Sequence, residues 1–187
     1  PPPCLYHDHT TPYTIHAMSM ILNLARVPAT LGEELLQNPE GIYAILEPEE
    51  DSADTAVTED DMIDLDKSWH ALHFLFTGTA WEGELPASFL VLGGTQVGDL
   101  DVGYGPARYF DVATTTQIDA FLQSLDEATL RSLFDQEKML DLDIYPQIWD
   151  EDNADEVWEY VGEYLTILRE FVRATAASGK AMLVFCN

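Results

Sequence analysis

Apolar and polar positions along the chain change period several times. Met18 to Val27, "MSMILNLARV", is almost continuously apolar and stops at Pro28, which predicts a strand. Residues 28–38 switch to helical spacing. Leu31, Leu35 and Leu36 share a face there, and Asn38 with Pro39 ends it. "GIYAIL" (41–46) is apolar but too short to assign. Helical spacing returns over 65–78 and stops at Gly78. Residues 81–106 are rich in Gly and Pro, with a short helical patch at "PASFLVLGG". "ARYFDV" (107–112) has strand composition. Thr114 to Thr116 then offer N-caps for a helix bearing Ile118, Phe121, Leu122 and Leu125. Asp126 caps a further helix, with Leu125 and Leu130 at hydrophobic-staple positions. Pro146 interrupts "IYPQIW" (144–149). The longest helical pattern covers 151–178, with Val157, Val161, Leu165, Leu168 and Val172 as its stripe and Gly179 at C′. "AMLVFC" closes the chain as a strand. This order predicts an α+β fold: a small mixed or antiparallel sheet packed with several helices, the long C-terminal helix being followed by a closing strand.

Composition sets the scale and the partners. The 187 residues are 47% apolar, enough for one domain with its own core. Residues 1–17 stand apart, with four prolines, three histidines and no Lys, Arg or Glu. We read them as an N-terminal extension or upstream read-in, and 18–187 as a single domain. No apolar run approaches the roughly 18 residues of a membrane span. No basic start is paired with an apolar stretch, so no signal peptide is expected. Cys4 and Cys186 are the only cysteines. They make no disulfide scaffold and fit a cytoplasmic protein, Cys186 reading as a buried strand residue.

Charge is lopsided: 34 Asp and Glu stand against 8 Lys and Arg, a formal net charge of −26. A field of that sign repels nucleic acid and anionic lipid, so neither is an expected partner. Basic proteins and cations are favoured, although solubility alone accounts for such a composition. Glu47 to Asp66 hold ten acids and no base, and 150–163 hold seven acids and no base. The first run reads as a solvated loop, without the Gly and Glu spacing of an EF-hand. Together the two runs suggest an acidic face that steers a basic partner.

The densest candidate chemistry lies in "KSWHALHFLFTGT" (67–79). With Leu65 at zero and about 100° per residue, Trp69, Leu72 and Phe76 fall within roughly 40° of it and form a core stripe. His73, Asp66 and His70 then share one flank, three and four residues apart. That spacing is compatible with a two-histidine, one-carboxylate metal cluster or with a carboxylate orienting an imidazole. It is equally compatible with core-boundary histidines bonded to backbone and with Asp66 serving the helix dipole. "HDH" (7–9) is a second, weaker metal motif. No cofactor is expected. Arg108, in "GYGPARYF" (103–110), follows a Gly–Pro turn; such an Arg receives an anionic ligand group or neutralises nearby carboxylates. Tyr104, Tyr145, Trp149, Trp69 and Trp81 could wall an aromatic pocket or simply pack the core. No phosphate loop, nucleophile elbow, H-E-x-x-H or C-x-x-C is present.

Three of these words, "LDKSWHALHFLFTG" (65–78), "GYGPARYF" (103–110) and "YPQIW" (145–149), together with the long helix and closing strand, resemble the YfbM-like family, a bacterial family of unknown function. Asp66, Lys67, Trp69, Leu72, His73, Thr77 and Gly78 match its pattern, His70 less firmly. The resemblance covers 18–187 and implies a small α+β bacterial protein without supplying a reaction. It shifts weight from a two-histidine metal site to His73 alone.

Two functions follow as expectations. The first is a non-enzymatic acidic binding module, an immunity-type or regulatory partner of a basic protein. The second is a small-molecule-binding enzyme or sensor, with His73 and Arg108 beside Tyr104 and Trp69 and with Asp66 as an accessory candidate. Oligomeric state is left open.

Overall fold

The computed structural model describes residues 19–47, 56–149 and 154–187. Its centre is an antiparallel sheet. Strand β1 (Leu22–Val27) pairs with the edge strand β2 (Met62–Asp64) on one side. On the other it pairs with the last strand of the chain, β5 (Ala181–Cys186). β4 (Arg108–Phe110) lies beyond β5, and β3 (Thr95–Gln96) beyond β4, giving the order β2-β1-β5-β4-β3. The sheet is antiparallel throughout, the second of the two arrangements the sequence allowed.

Helices cover both faces. Leu22, Leu24, Phe110, Met182 and Val184 point into one core with α3 (Trp69–Thr77), α4 (Val112–Ser124), α5 (Glu127–Leu133), α6 (Gln136–Asp141) and α7 (Ala154–Ala177). Ala25, Val27, Tyr109, Leu183 and Phe185 point the other way, onto α1 (Ala29–Gln37) and α2 (Tyr43–Leu46). A strand covered on both faces needs no polar alternation, which is why β5 reads as an unbroken apolar run. Gly32, inside α1, makes room for the Tyr109 ring: a Cβ there would collide with Tyr109 Cε2.

Several expected elements sit where the sequence put them. α7 buries Val157, Val161, Leu165, Leu168 and Val172. Its end closes as a Schellman motif: Gly179 takes φ 64°, its N–H donates to Ala176, and the Lys180 N–H donates to Thr175. Asp126 caps α5, accepting from Thr129 N at 2.8 Å.

Others moved. The first strand starts at Leu22, four residues after Met18, although the Ile21 and Asn187 backbones still bond to each other. α4 begins two residues before Thr114, because Asp111 is its cap, accepting from Thr114 N at 2.7 Å. Residues 41–46 are helical, a 3₁₀ turn (Pro39–Ile42) running into α2.

The acidic stretch 47–66 is not all loop. Residues 48–55 lie outside the described residues, but Glu59–Asp61 form a 3₁₀ turn leading into β2. Met62 and Ile63 of that strand pack on opposite cores, and charge fastens its start. Asp61 Oδ1 accepts from Arg26 Nε at 2.7 Å and from Lys180 Nζ at 3.0 Å, while Oδ2 accepts from Thr58 Oγ1 at 3.0 Å. The two cations belong to β1 and to the residue preceding β5, so one carboxylate ties three segments together.

Candidate functional site

α3 presents Trp69 at its first turn. The indole Nε1 donates to Met20 O at 3.1 Å, and the ring lies between His70 (centroids 4.9 Å apart, planes 13° apart) and Tyr145 (5.9 Å, 28°). Trp81 stacks obliquely on His70 at 4.2 Å. A cavity of about 200 Å³ opens against this aromatic cluster. Its interior wall is the helix-facing side of the sheet, Leu22 and Val184, with Leu90 from the loop. Trp81 (54% exposed) and Tyr104 (43%) stand at its rim. Arg108 and Cys186 also line it.

The segment 101–106 holds Tyr104 in place. Asp101 Oδ1 accepts from the N–H groups of Gly103 and Gly105, both at 2.9 Å. The Tyr104 N–H donates to Cys186 O at 2.9 Å. Gly103 sits at φ 140°, with a Cβ position only 2.6 Å from Asn187 Cα, so this first glycine of "GYG" serves close approach to the end of the chain, whereas Gly105 supplies the positive φ of 100° in open space. Arg108 reaches the turn at 84–93 and donates to three carbonyls: Nη1 to Phe89 O (2.9 Å) and Gly93 O (3.2 Å), Nη2 to Leu90 O (2.7 Å). It therefore neutralises no carboxylate among the described residues. Burial pushes its pKa down to about 10.

The two histidines do not make a metal site. α3 starts at Trp69, so Asp66 is not on the helix and the shared flank of the helical wheel does not exist. Asp66 sits at φ 45° in the preceding turn and accepts from the Tyr160 hydroxyl at 2.8 Å. His70 Nδ1 accepts the Tyr145 N–H at 2.9 Å, which leaves Nε2 to donate to Ala80 O at 2.8 Å. Both ring nitrogens are engaged, and burial holds the imidazole below its ordinary pKa. Among the described residues no group of three or more His, Cys, Asp and Glu converges. "HDH" (7–9) lies outside them.

His73 is wholly buried, and neither ring nitrogen has a hydrogen-bond partner among the described residues. Its pKa is pushed down to about 4, first by burial, then by His70 and, more weakly, Arg108; the Glu82 backbone opposes this without attaining hydrogen-bond geometry. His73 does not line the cavity, so the expected pairing of His73 with Arg108 across a pocket is not what the fold builds. The reason is rotation of α3. The face carrying His73 is covered on all sides, and Trp69 alone of that helix reaches the wall.

Trp69, Tyr104 and Arg108 thus meet at one place, while Tyr145 and Trp149 stand behind it. Tyr145 backs Trp69, and its hydroxyl accepts from Met20 N at 3.1 Å. Trp149 is buried, donating Nε1 to Ile144 O at 2.6 Å and packing edge-on against Phe134. Trp81, one of the aromatics expected to wall a pocket, joins the site, and Cys186 joins it from outside the expected set. Trp81 had a legible signal, a large aromatic in a Gly- and Pro-rich stretch just past a helix stop. Cys186 had none, because strand ends carry no mark of which face they show. Burial raises its thiol to about 11, so it is no nucleophile at neutral pH.

An antiparallel sheet covered by helices on both faces, with an aromatic-rimmed cavity at one end of one face, defines an α+β protein. The chain belongs to the family described as "Domain of unknown function (DUF1877)", which matches residues 18–185. Its fold is shared by the crystal structure of YfbM from Escherichia coli, a protein of unknown function. The two match at a TM-score of 0.70 and 22% identity, over 89% of this chain and 99% of that one. No curated protein matches the chain. No helix of the described residues is long and apolar enough to cross a membrane.

Proposed function

We propose that the chain is a small-molecule-binding protein whose site is the cavity between Trp69, Trp81, Tyr104 and Arg108. The observation that carries this is the rim. Trp81 and Tyr104 are about half exposed at the mouth of a space walled by Leu22, Leu90 and Val184. Large aromatics kept exposed around an apolar concavity favour ligand contact over packing. The space is smaller than the roughly 300–1,000 Å³ of drug-sized sites, so the ligand is small. Binding rather than catalysis is the reading. His73 and the Cys186 thiol, the groups nearest to acid–base or nucleophilic use, are respectively sealed off and protonated.

A ligand at one hundred times its Kd stabilises the fold by about 2.7 kcal/mol, visible as a rise in Tm. A metabolite-sized library screened by thermal shift, with tryptophan emission as second readout, tests the reading. Trp81→Ala should leave the unliganded Tm nearly unchanged, since its ring is more than half exposed, and should remove the ligand-induced shift. If hits shift the variant as they shift the parent, the site lies elsewhere.

A second reading keeps a basic protein as partner. It is supported by where the cations go: Arg108, Lys138 and Arg169 bind backbone carbonyls, and the described residues form ion pairs only through Arg26, Arg131 and Lys180. The negative field is therefore left to face outward. Capture of partners from native lysate at low and high salt tests it; no enrichment of a basic protein at low salt ends it.

A further inference from the structure

We propose that the cavity takes a small organic monoanion, a carboxylate on a flat apolar body, and that Arg108 is the group that receives the carboxylate. This rests on the cavity being the binding site.

The argument starts from an imbalance. The chain has 34 acidic residues, yet Arg108 forms no ion pair among the described residues. A partly buried guanidinium normally meets a carboxylate, because desolvating a cation without a counter-charge is costly. Here burial is the one influence on its titration, and no acidic side chain opposes it. Three carbonyls of the turn at 84–93 hold it instead, through Nη1 twice and Nη2 once. They fix its plane without cancelling its charge. A guanidinium has five N–H donors, so Nε–H and one N–H of Nη2 remain. Nε and Nη2 form the edge that matches a carboxylate side-on. That edge belongs to a residue lining a cavity whose other walls are aliphatic and aromatic.

The rest of the molecule narrows the ligand. An apolar wall of Leu22, Leu90 and Val184 suits a hydrocarbon body. The Trp69 and Trp81 rings suit a planar one, and the volume suits about a single ring. The net charge of −26 penalises each further negative charge brought to the surface, which favours one charge over two.

The test uses the whole chain and matched probes. Benzoate, phenylacetate and isovalerate are titrated by calorimetry and tryptophan emission against benzamide, phenylacetamide and isovaleramide, with phenyl phosphate as the dianionic arm. The expected result is that at least one carboxylate binds about tenfold or more tightly than its amide, as a charge-assisted bond to Arg108 requires. Equal or tighter binding of the amides overturns the anion inference and leaves the cavity reading standing. Tighter binding of phenyl phosphate than of benzoate overturns the monocarboxylate. Failure of every probe to bind up to about 10 mM overturns the inference, while the cavity reading falls only if the library screen also gives no hit that Trp81→Ala abolishes.

Discussion

His70 and His73 lie three residues apart on one helix and do opposite things. His70 spends both ring nitrogens on backbone groups of segments distant in sequence, Ala80 and Tyr145. His73 spends neither. Replacing His70 by Leu leaves a part-buried N–H and a part-buried carbonyl unpaired and should cost about 1–3 kcal/mol. Replacing His73 by Leu breaks no bond and should cost under about 1.5 kcal/mol at neutral pH. Urea unfolding of the two variants makes the comparison.

Both imidazoles titrate below the ordinary 6.5 in the folded chain, His73 near 4, so between those values the unfolded chain binds protons that the folded chain does not. Stability is therefore full above about pH 6.5 and falls toward pH 4, by up to about 1.4 kcal/mol per pH unit for each histidine. His73→Leu should flatten that slope by one proton. Asp61 works at the acid end. Burial alone would raise its pKa, but the bonds from Lys180, Arg26 and Thr58 outweigh it and hold the carboxyl well below its ordinary 3.8. What Asp61 contributes is present above pH 3.8 and is lost as the solution is acidified below it. Asp61→Asn should cost about 2–3 kcal/mol at pH 7 and lose less on acidification below pH 4 than the parent.

Elements are set by where they end and what they must clear. α3 stops at Gly78, which takes φ 74° as the left-handed cap its position demands. α1 carries a glycine in its interior, where Ala would be worth about 1 kcal/mol by propensity. Gly32→Ala should nonetheless destabilise, by about 1–3 kcal/mol net, because the new methyl would meet the Tyr109 ring. In a chain of this size that is a fall in Tm of roughly 2–4 °C per kcal/mol, read by circular dichroism. A rise in Tm would mean that Tyr109 swings aside at no cost. Arg169, from α7, donates to Leu122 O and Leu125 O, the carbonyls at the end of α4. One of the few cations thus answers a helix terminus rather than a carboxylate.

For the whole molecule, the formal charge of −26 is the dominant electrostatic fact. Self-repulsion of the compact state opposes folding and is screened by salt, whereas the partly buried Asp61 pairs are screened less. Raising NaCl from about 0.05 to 0.5 M, over which the Debye length falls several-fold, should raise Tm. A lower Tm at high salt would show that specific ion pairs outweigh the general repulsion.

Much of this protein can be read from its residues in order. A nearly continuous apolar run gives β1 and an unbroken one β5, a five-residue stripe gives α7, and Asp126 and Gly179 mark ends, because each depends on neighbours a few positions away. β2 escapes that reading, since three residues at a sheet edge inside an acidic stretch are too few to show a period, and the Asp61 pairs just before them help to fasten the strand. The site divides the same way. Trp69, Tyr104 and Arg108 are conspicuous as residue types in the sequence. Only the packing decides that they share one cavity, that Trp81 joins them at its rim, and that His73 is turned into the core. The rotation of a helix about its own axis is fixed by what packs around it, which a wheel begun at Leu65 does not contain.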